Sequence, residues 1–248
     1  MPDSIAPPFD EKIAGTRALL DLAVAQFSPV AFASSFSAED MILLEMIATG
    51  DLDIEVFTLD TGRLNDETHA LIAEASQRFA VPIRILSPDS GALEEFTGDH
   101  GTNAFYRSIE LRRQCCDIRK IQPLKRALTG KGAWITGQRR QQSVTRAALD
   151  TSEWDGGNGL QKFNPLAFWS HKEVWAYIER EKLPYNALHD RGFASIGCAP
   201  CTRAITQGED ERAGRWWWED PDTRECGLHA TPGNTAPPPA TTSGNIPT

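Results

Sequence analysis

Among the 248 residues, the five cysteines have the most chemistry to offer. Two are adjacent, Cys115-Cys116, and two form a Cys-x-x-Cys pair, Cys198-Ala-Pro-Cys201. Four thiolates can hold a zinc ion or an iron–sulfur cluster. An adjacent pair suits a single ion poorly, because neighbouring side chains would have to bend toward one point. A four-iron cluster offers separate irons, so the pattern favours iron–sulfur over zinc. Buried free thiols and a redox Cys-x-x-Cys are the plainer readings. The fifth thiol, Cys226, stands apart in Glu225-Cys-Gly-Leu-His229. Beside Arg224 and His229, it is a candidate nucleophile with a lowered pKa. The alternative is an incidental exposed cysteine.

A second set of residues could hold an anion. Ser34-Ser-Phe-Ser-Ala-Glu-Asp40 follows a short apolar run and precedes a helical pattern. Hydroxyls (Ser34, Ser35, Ser37) and backbone N–H groups at a helix start can cradle phosphate or sulfate, in a stretch that ends at Asp40, also a substrate-binding candidate. It is not a Walker A loop, and a plain capping turn explains it equally well. Leu59-Asp60-Thr61-Gly62 is a turn where backbone could approach a flat base. Gly137-Gln-Arg139-Arg140, followed by Ser143, Thr145 and Arg146, offers guanidinium forks for phosphate or sulfate oxygens. Arg212 and Arg215, three apart, could face one way on a helix and clamp an anion. The run Trp216-Trp-Trp218 beside them is read as structural, with at least one ring covering a loop, a partner or the tail.

Charge supports a local anion site. The chain carries 25 Lys+Arg against 34 Asp+Glu, a net −9. From Arg107 to Arg146 there are 11 basic residues opposed only by Glu110 and Asp117, which leaves a +9 belt in a −18 remainder. The acidic balance argues against a nucleic-acid partner, and the belt is either an anion site or a set of solvated faces. No apolar run approaches the roughly 20 residues that span a bilayer, so no membrane association is expected. Without a basic n-region and apolar h-region at the start, the expected compartment is the cytoplasm, where thiols serve as ligands or catalysts more often than as disulfides.

The elements that must position these groups follow from periodicity. Helices are predicted over Glu11 to Gln26, Ala38 to Thr49, Asn65 to Phe79 and His171 to Lys182. In the second of these, Met41, Leu44, Ile47 and Ala48 share one face. Strands are predicted over Val30 to Ala33, Ile54 to Asp60, Pro82 to Leu86 and Ala133 to Thr136. The alternation gives an α/β fold with a mostly parallel sheet flanked by helices. Ligands of such sheets sit at the carboxyl ends of strands, where the three polar loops lie. The expected organisation is a flexible start (residues 1–10), a nucleotide-binding domain with the iron–sulfur site (11–205), a mobile segment bearing Cys226 (206–229) and a charge-free, Pro-rich disordered tail (230–248).

Taken together, these motifs resemble the thioredoxin-dependent adenylyl-sulfate (APS) reductases of assimilatory sulfate reduction, over about residues 30–229. The resemblance is carried by Ser34 to Asp40, Leu59 to Gly62, Cys115-Cys-Asp-Ile-Arg-Lys120, Gly137 to Arg140, Gly197-Cys-Ala-Pro-Cys201, Glu211-Arg-Ala-Gly-Arg-Trp-Trp-Trp218 and Glu225 to His229. One departure is Ser37, where the family's first loop usually carries Gly. The resemblance implies a fold like the adenine-nucleotide α-hydrolases and a [4Fe–4S] cluster on Cys115, Cys116, Cys198 and Cys201. It implies attack of Cys226 on APS to form S-sulfocysteine, release of AMP, and release of sulfite by thioredoxin. Lys120, Arg212 and Arg215 would neutralise charge, and His229 would assist the tail. Sister enzymes that use the 3′-phosphorylated substrate (PAPS) generally lack the four cysteines, which favours APS. Competing readings are a PAPS reductase, an ATP pyrophosphatase-type transferase and a non-catalytic metal-binding module. Both a monomer and a homo-oligomer remain open.

Overall fold

The computed structural model describes residues 8–143, 146–220 and 223–224. Cys226, His229, the first seven residues and the 230–248 tail lie outside the described residues. The opening helix α1 (Phe9–Phe27) leads into strand β1 (Val30–Ala33), helix α2 (Ala38–Thr49), strand β2 (Ile54–Leu59), helix α3 (Asp66–Phe79) and strand β3 (Ile83–Leu86). These match the predicted elements to within two residues. Helix α4 (Ser90–His100), helix α5 (Ile109–Cys116), a π-helical turn (Asp117–Ile121) and helix α6 (Gln122–Leu128) then precede strand β4 (Ala133–Ile135). Strands β5 (Ser152–Asp155) and β6 (Leu160–Phe163) and helix α7 (His171–Glu181) complete the body.

The six strands form one sheet in the order β3-β2-β1-β4-β6-β5. All neighbours are parallel except β5, which runs antiparallel to β6 at the edge. Alternation along β1 sorts its side chains to two cores. Val30 and Phe32 pack with Leu20 and Ala23 of α1, with α2, and with Val174, Tyr177 and Ile178 of α7. Ala31 packs on the other face with Phe57, Trp134 and the α6 residues Leu124, Ala127 and Leu128. Both faces are therefore covered, as a parallel sheet requires.

Helix α3 follows its predicted amphipathic pattern, burying Thr68, Leu71, Ile72 and Ala75 on one stripe. Helix α2 differs from the one-faced helix expected. Ala38 through Ile47 are all buried, because the helix is enclosed by the sheet and by α7. That enclosure takes Glu39 and Asp40 out of water at the helix start.

The order of strand addition reverses between β1 and β4, since β2 and β3 are laid down on one side of β1 and β4 and β6 on the other. The loops leaving β1 and β4 part there and open a crevice. No helix among the described residues is long and apolar enough to cross a membrane.

Candidate active site

An open cleft sits at this switch point. Its floor is the carboxyl ends of β1, β2 and β4, represented by Ser34, Leu59, Thr61, Thr136 and Gly137. Ser35 and Ser37 line it from the loop before α2, Asp40 from the first turn of α2, and Gln138, Gln142 and Arg146 from the segment after β4. Lys120, Cys198, Arg212 and Arg215 complete it from segments remote in sequence. The loop after β1 is tied to its helix: Ser35 N and Oγ donate to Asp40 Oδ2 at 2.6 and 2.7 Å. Gly137 lies against the same carboxylate, where an added Cβ would stand 2.2 Å from Asp40 Oδ1.

The four thiols Cys115, Cys116, Cys198 and Cys201 are buried and line one smaller cavity beside the cleft. Cys115 and Cys116 end α5, where the helix widens into the π turn that carries Arg119 and Lys120. Such widened turns recur at functional sites. Cys198 precedes and Cys201 ends a short 3₁₀ turn (Ala199–Cys201) that docks on the loop after β2, with Ala199 N donating to Arg63 O at 2.8 Å. Thr61 Oγ1 lies 3.3 Å from Cys198 Sγ, and Arg119 Nη1 donates to Thr61 O at 2.5 Å. Arg63, Arg112, Arg119 and Lys120 also line the cavity. Among the described residues, no three His, Cys, Asp or Glu side chains converge on a single-ion position. All four thiols line this one cavity and cationic side chains face it, so the donor set suits an anionic, thiolate-bound metal group.

Lys120, Cys198 and Trp216 line both spaces and form the wall between them. The Trp216 ring has the Arg112 and Arg215 guanidinium carbons 4.8 and 4.7 Å from its centroid. The Trp216 backbone N–H donates to Cys201 O at 3.1 Å, and Thr202 bridges to Arg215. These backbone bonds hang residues 212–216 on the cysteine loop. Gly214 is needed for this approach, since a Cβ there would stand 2.3 Å from Arg203 O. Of the three consecutive tryptophans, Trp216 is buried, Trp217 is exposed, and Trp218 packs on Tyr106 at 4.5 Å.

Electrostatics divides the site. Burial pushes the Asp40 carboxyl up to about 6, with the Ser35 hydrogen bonds opposing the rise and neighbouring Glu39 adding to it. Burial acts on Glu39 too, but the Arg139 guanidinium outweighs it and holds that carboxyl below its ordinary range. Burial would also raise Cys198, yet Lys120, Thr61, Arg215 and Arg119 together hold its thiol below the usual value. Burial and the adjacent Cys198 push Cys201 up to about 12. Burial pushes His189, at the cleft wall, below its usual value.

The chain matches the family described as the phosphoadenosine phosphosulfate reductase domain over residues 29–204. It is 53% identical over 211 residues to the adenosine 5′-phosphosulfate reductase of Allochromatium vinosum, covering 85% of this chain and 82% of that protein. It is 50% identical over 228 residues to the enzyme of the same name from Burkholderia cepacia, covering 92% and 91%. The chain belongs to the phosphoadenosine phosphosulfate reductase domain family. Among solved structures, the phosphoadenylyl-sulfate reductase of Candida auris in its phosphate complex aligns with a TM-score of 0.66 at 25% identity, over 82% of this chain and 100% of that one. The Candida glabrata FMN adenylyltransferase bound to ATP shares the fold alone, with a TM-score of 0.56 at 14% identity over 90% and 78%.

Within this family member the residues singled out from sequence divide three ways. Ser34, Ser35, Ser37, Asp40, Leu59, Thr61, Gly137, Arg146, Lys120, Arg212 and Arg215 meet in the cleft. Asp60 and Gly62 shape the adjoining turn, with Gly62 N donating to Asp60 Oδ1 at 2.9 Å. Arg139 and Arg140 are not among the cleft-lining residues. Arg139 is fully buried on Glu39 and Glu211, and Arg140 turns outward to Leu149 O, Asp150 and the Phe168 ring. Sequence reasoning missed Glu39, Gln138, His189 and Glu211 at the cleft, and Arg63, Arg112 and Arg119 at the thiols. Arg119 had a signal, since it lies between Cys116 and Lys120 in a quoted motif. His189 had none, because its loop carries no local pattern.

Proposed function

We propose that the chain reduces adenylyl sulfate to sulfite and AMP in sulfate assimilation, with thioredoxin as the reductant. The observation that carries this reading is the meeting of Lys120, Arg212 and Arg215 in one cleft with the Ser34–Asp40 loop. The amides and hydroxyls of that loop, at the start of α2, suit the nucleotide phosphate, and the Leu59–Gly62 turn suits the base. Arg146 adds a cation at the β4 side. The three remote cations suit the sulfate end, where two negative groups must approach in a partly dry site. The reading is also supported by curated relatives at about half identity over most of the chain, named for this activity.

In the proposed sequence, the Cys226 thiolate attacks the sulfate sulfur. The S–O bond to the phosphate breaks, AMP leaves, and S-sulfocysteine forms. A thioredoxin thiolate then attacks Cys226 Sγ and expels sulfite. Its second thiol resolves the mixed disulfide, so the dithiol supplies both electrons. His229 assists the docked tail. Cys115, Cys116, Cys198 and Cys201 would hold a [4Fe–4S] cluster, which when bound supplies a structural tie and a local field. Lys120, on the shared wall, orients its ammonium toward the sulfate end, while Trp216 and Arg215 limit water there.

The test is sulfite production from APS with thioredoxin, with PAPS as the comparison substrate. The purified protein is expected to be brown, and Cys226→Ser is expected to lose the covalent label from radiolabelled APS. Turnover of PAPS in preference to APS would overturn the substrate. A label that persists in Cys226→Ser and is released by thioredoxin would overturn the nucleophile. A colourless protein with stoichiometric zinc would overturn the cluster.

A further inference from the structure

Arg139 ends the loop after β4, at the strand end where ligands of such sheets sit, yet it points into the protein. Its Nε donates to Glu39 Oε1 at 2.6 Å, and its Nη2 donates to Glu211 Oε1 and Oε2 at 3.1 and 3.4 Å. The Arg139 side chain is 0% exposed, that of Glu39 7% and that of Glu211 21%. The second Glu211 oxygen also faces His171 Nδ1, 4.0 Å away. These charges come from three separate parts of the chain: the first turn of α2, the loop after β4, and the stretch that follows the last cavity cysteine.

A buried carboxylate–guanidinium–carboxylate set adds little net stability, because desolvation offsets much of the attraction. What it can determine is placement, since the planar fork is satisfied in few arrangements of the three segments. The same joint carries Arg146. Arg139 N donates to Gln142 Oε1 at 3.1 Å, and Arg146 Nη1 donates to that same oxygen. On the other side of the joint, Glu211 immediately precedes Arg212. Residues 214–216 are held at their far end by Arg203 N on Gly214 O and by the Thr202–Arg215 bridge. Glu211 is thus the point at which the stretch bearing Arg212 and Arg215 is fastened to the sheet.

We propose that Glu211, held by Arg139, is a positioning residue that fixes Arg212 and Arg215 over the sulfate end of the cleft. It thereby gives the chain its preference for a nucleotide with a second anionic group over the same nucleotide without one. This rests on the APS reading above. Glu211 stands on the cleft wall, and the role assigned to it runs through Arg212 and Arg215 rather than through a contact of its own with the nucleotide.

The experiment compares AMP and APS binding by calorimetry on the full chain carrying Cys226→Ser, so that no covalent step follows, with and without Glu211→Gln. The expected result is AMP affinity within about twofold and APS affinity weakened by at least about tenfold, the scale on which a small displacement of a positioned group is felt. AMP binding is itself the check that the variant folds. Equal losses for both nucleotides would make Glu211 a general structural residue and overturn the inference, as would no loss for either. If the chain with Glu211 intact bound APS no more tightly than AMP, the reading of the cleft would fail first and the inference with it.

Discussion

Asp40 sits at 3% exposure in the first turn of α2, accepting two hydrogen bonds from Ser35, with its carboxyl pushed up to about 6 by burial. The folded state therefore holds this proton more tightly than the unfolded chain, whose Asp titrates near the ordinary value of 3.8. Its contribution to stability is fully present below about 4 and is lost as pH rises through about 6. Asp40→Asn is expected to flatten that part of the stability–pH profile, measured by urea unfolding between pH 4 and pH 7. An unchanged slope would show that Asp40 titrates normally. At this scale the cysteines were legible, because thiol spacing is itself chemical information. Arg139 was not. A guanidinium at a strand end looks the same in sequence whether it meets a ligand or two carboxylates, one of them 100 residues earlier and the other 72 residues later.

Helices and strands matter here through their ends. The first turn of α2 and the end of β4 approach so closely that Gly137 has no room for a side chain. Gly137→Ala is expected to force the two apart, costing about 1–3 kcal/mol, typical of overpacking. AMP affinity should fall with it, because the displaced turn carries Ser37 and Asp40. Chemical denaturation and an AMP titration check both effects, and a variant as stable as the parent would mean that the joint yields freely. The α5–π–α6 run was the least legible region. Its eight-residue first helix is mostly polar, with only Arg112, Cys115 and Cys116 buried, so hydrophobic periodicity had nothing to register. Strands β5 and β6 were missed for a related reason. Each has four residues, and β5 lies half-exposed at the sheet edge. The longer elements, α2, α3 and β2, were read closely because their apolar residues repeat long enough to define a period.

Across the whole molecule, the basic belt between Arg107 and Arg146 proves to be two things at once. Arg112, Arg119, Lys120 and Arg146 turn toward the two cavities, while Arg113, Lys125 and Arg126 lie on exposed faces. The inward half makes a small cationic interior within an acidic body of net charge −9. Binding of an anionic nucleotide should therefore weaken as salt rises from about 0.05 to 0.5 M. Calorimetry at several ionic strengths measures this directly. An affinity that does not change with salt would place the bound anion away from Lys120, Arg146, Arg212 and Arg215.

The partition built from Lys120, Cys198 and Trp216 has a consequence for how this molecule can change. A party wall cannot be moved for one tenant alone. Any substitution that reshapes the nucleotide side also resizes the thiol side, and a redesign of either compartment must be drawn up for both. Variation in this fold is thus free at the rims, where each room has its own boundary, and locked along the one surface they hold in common.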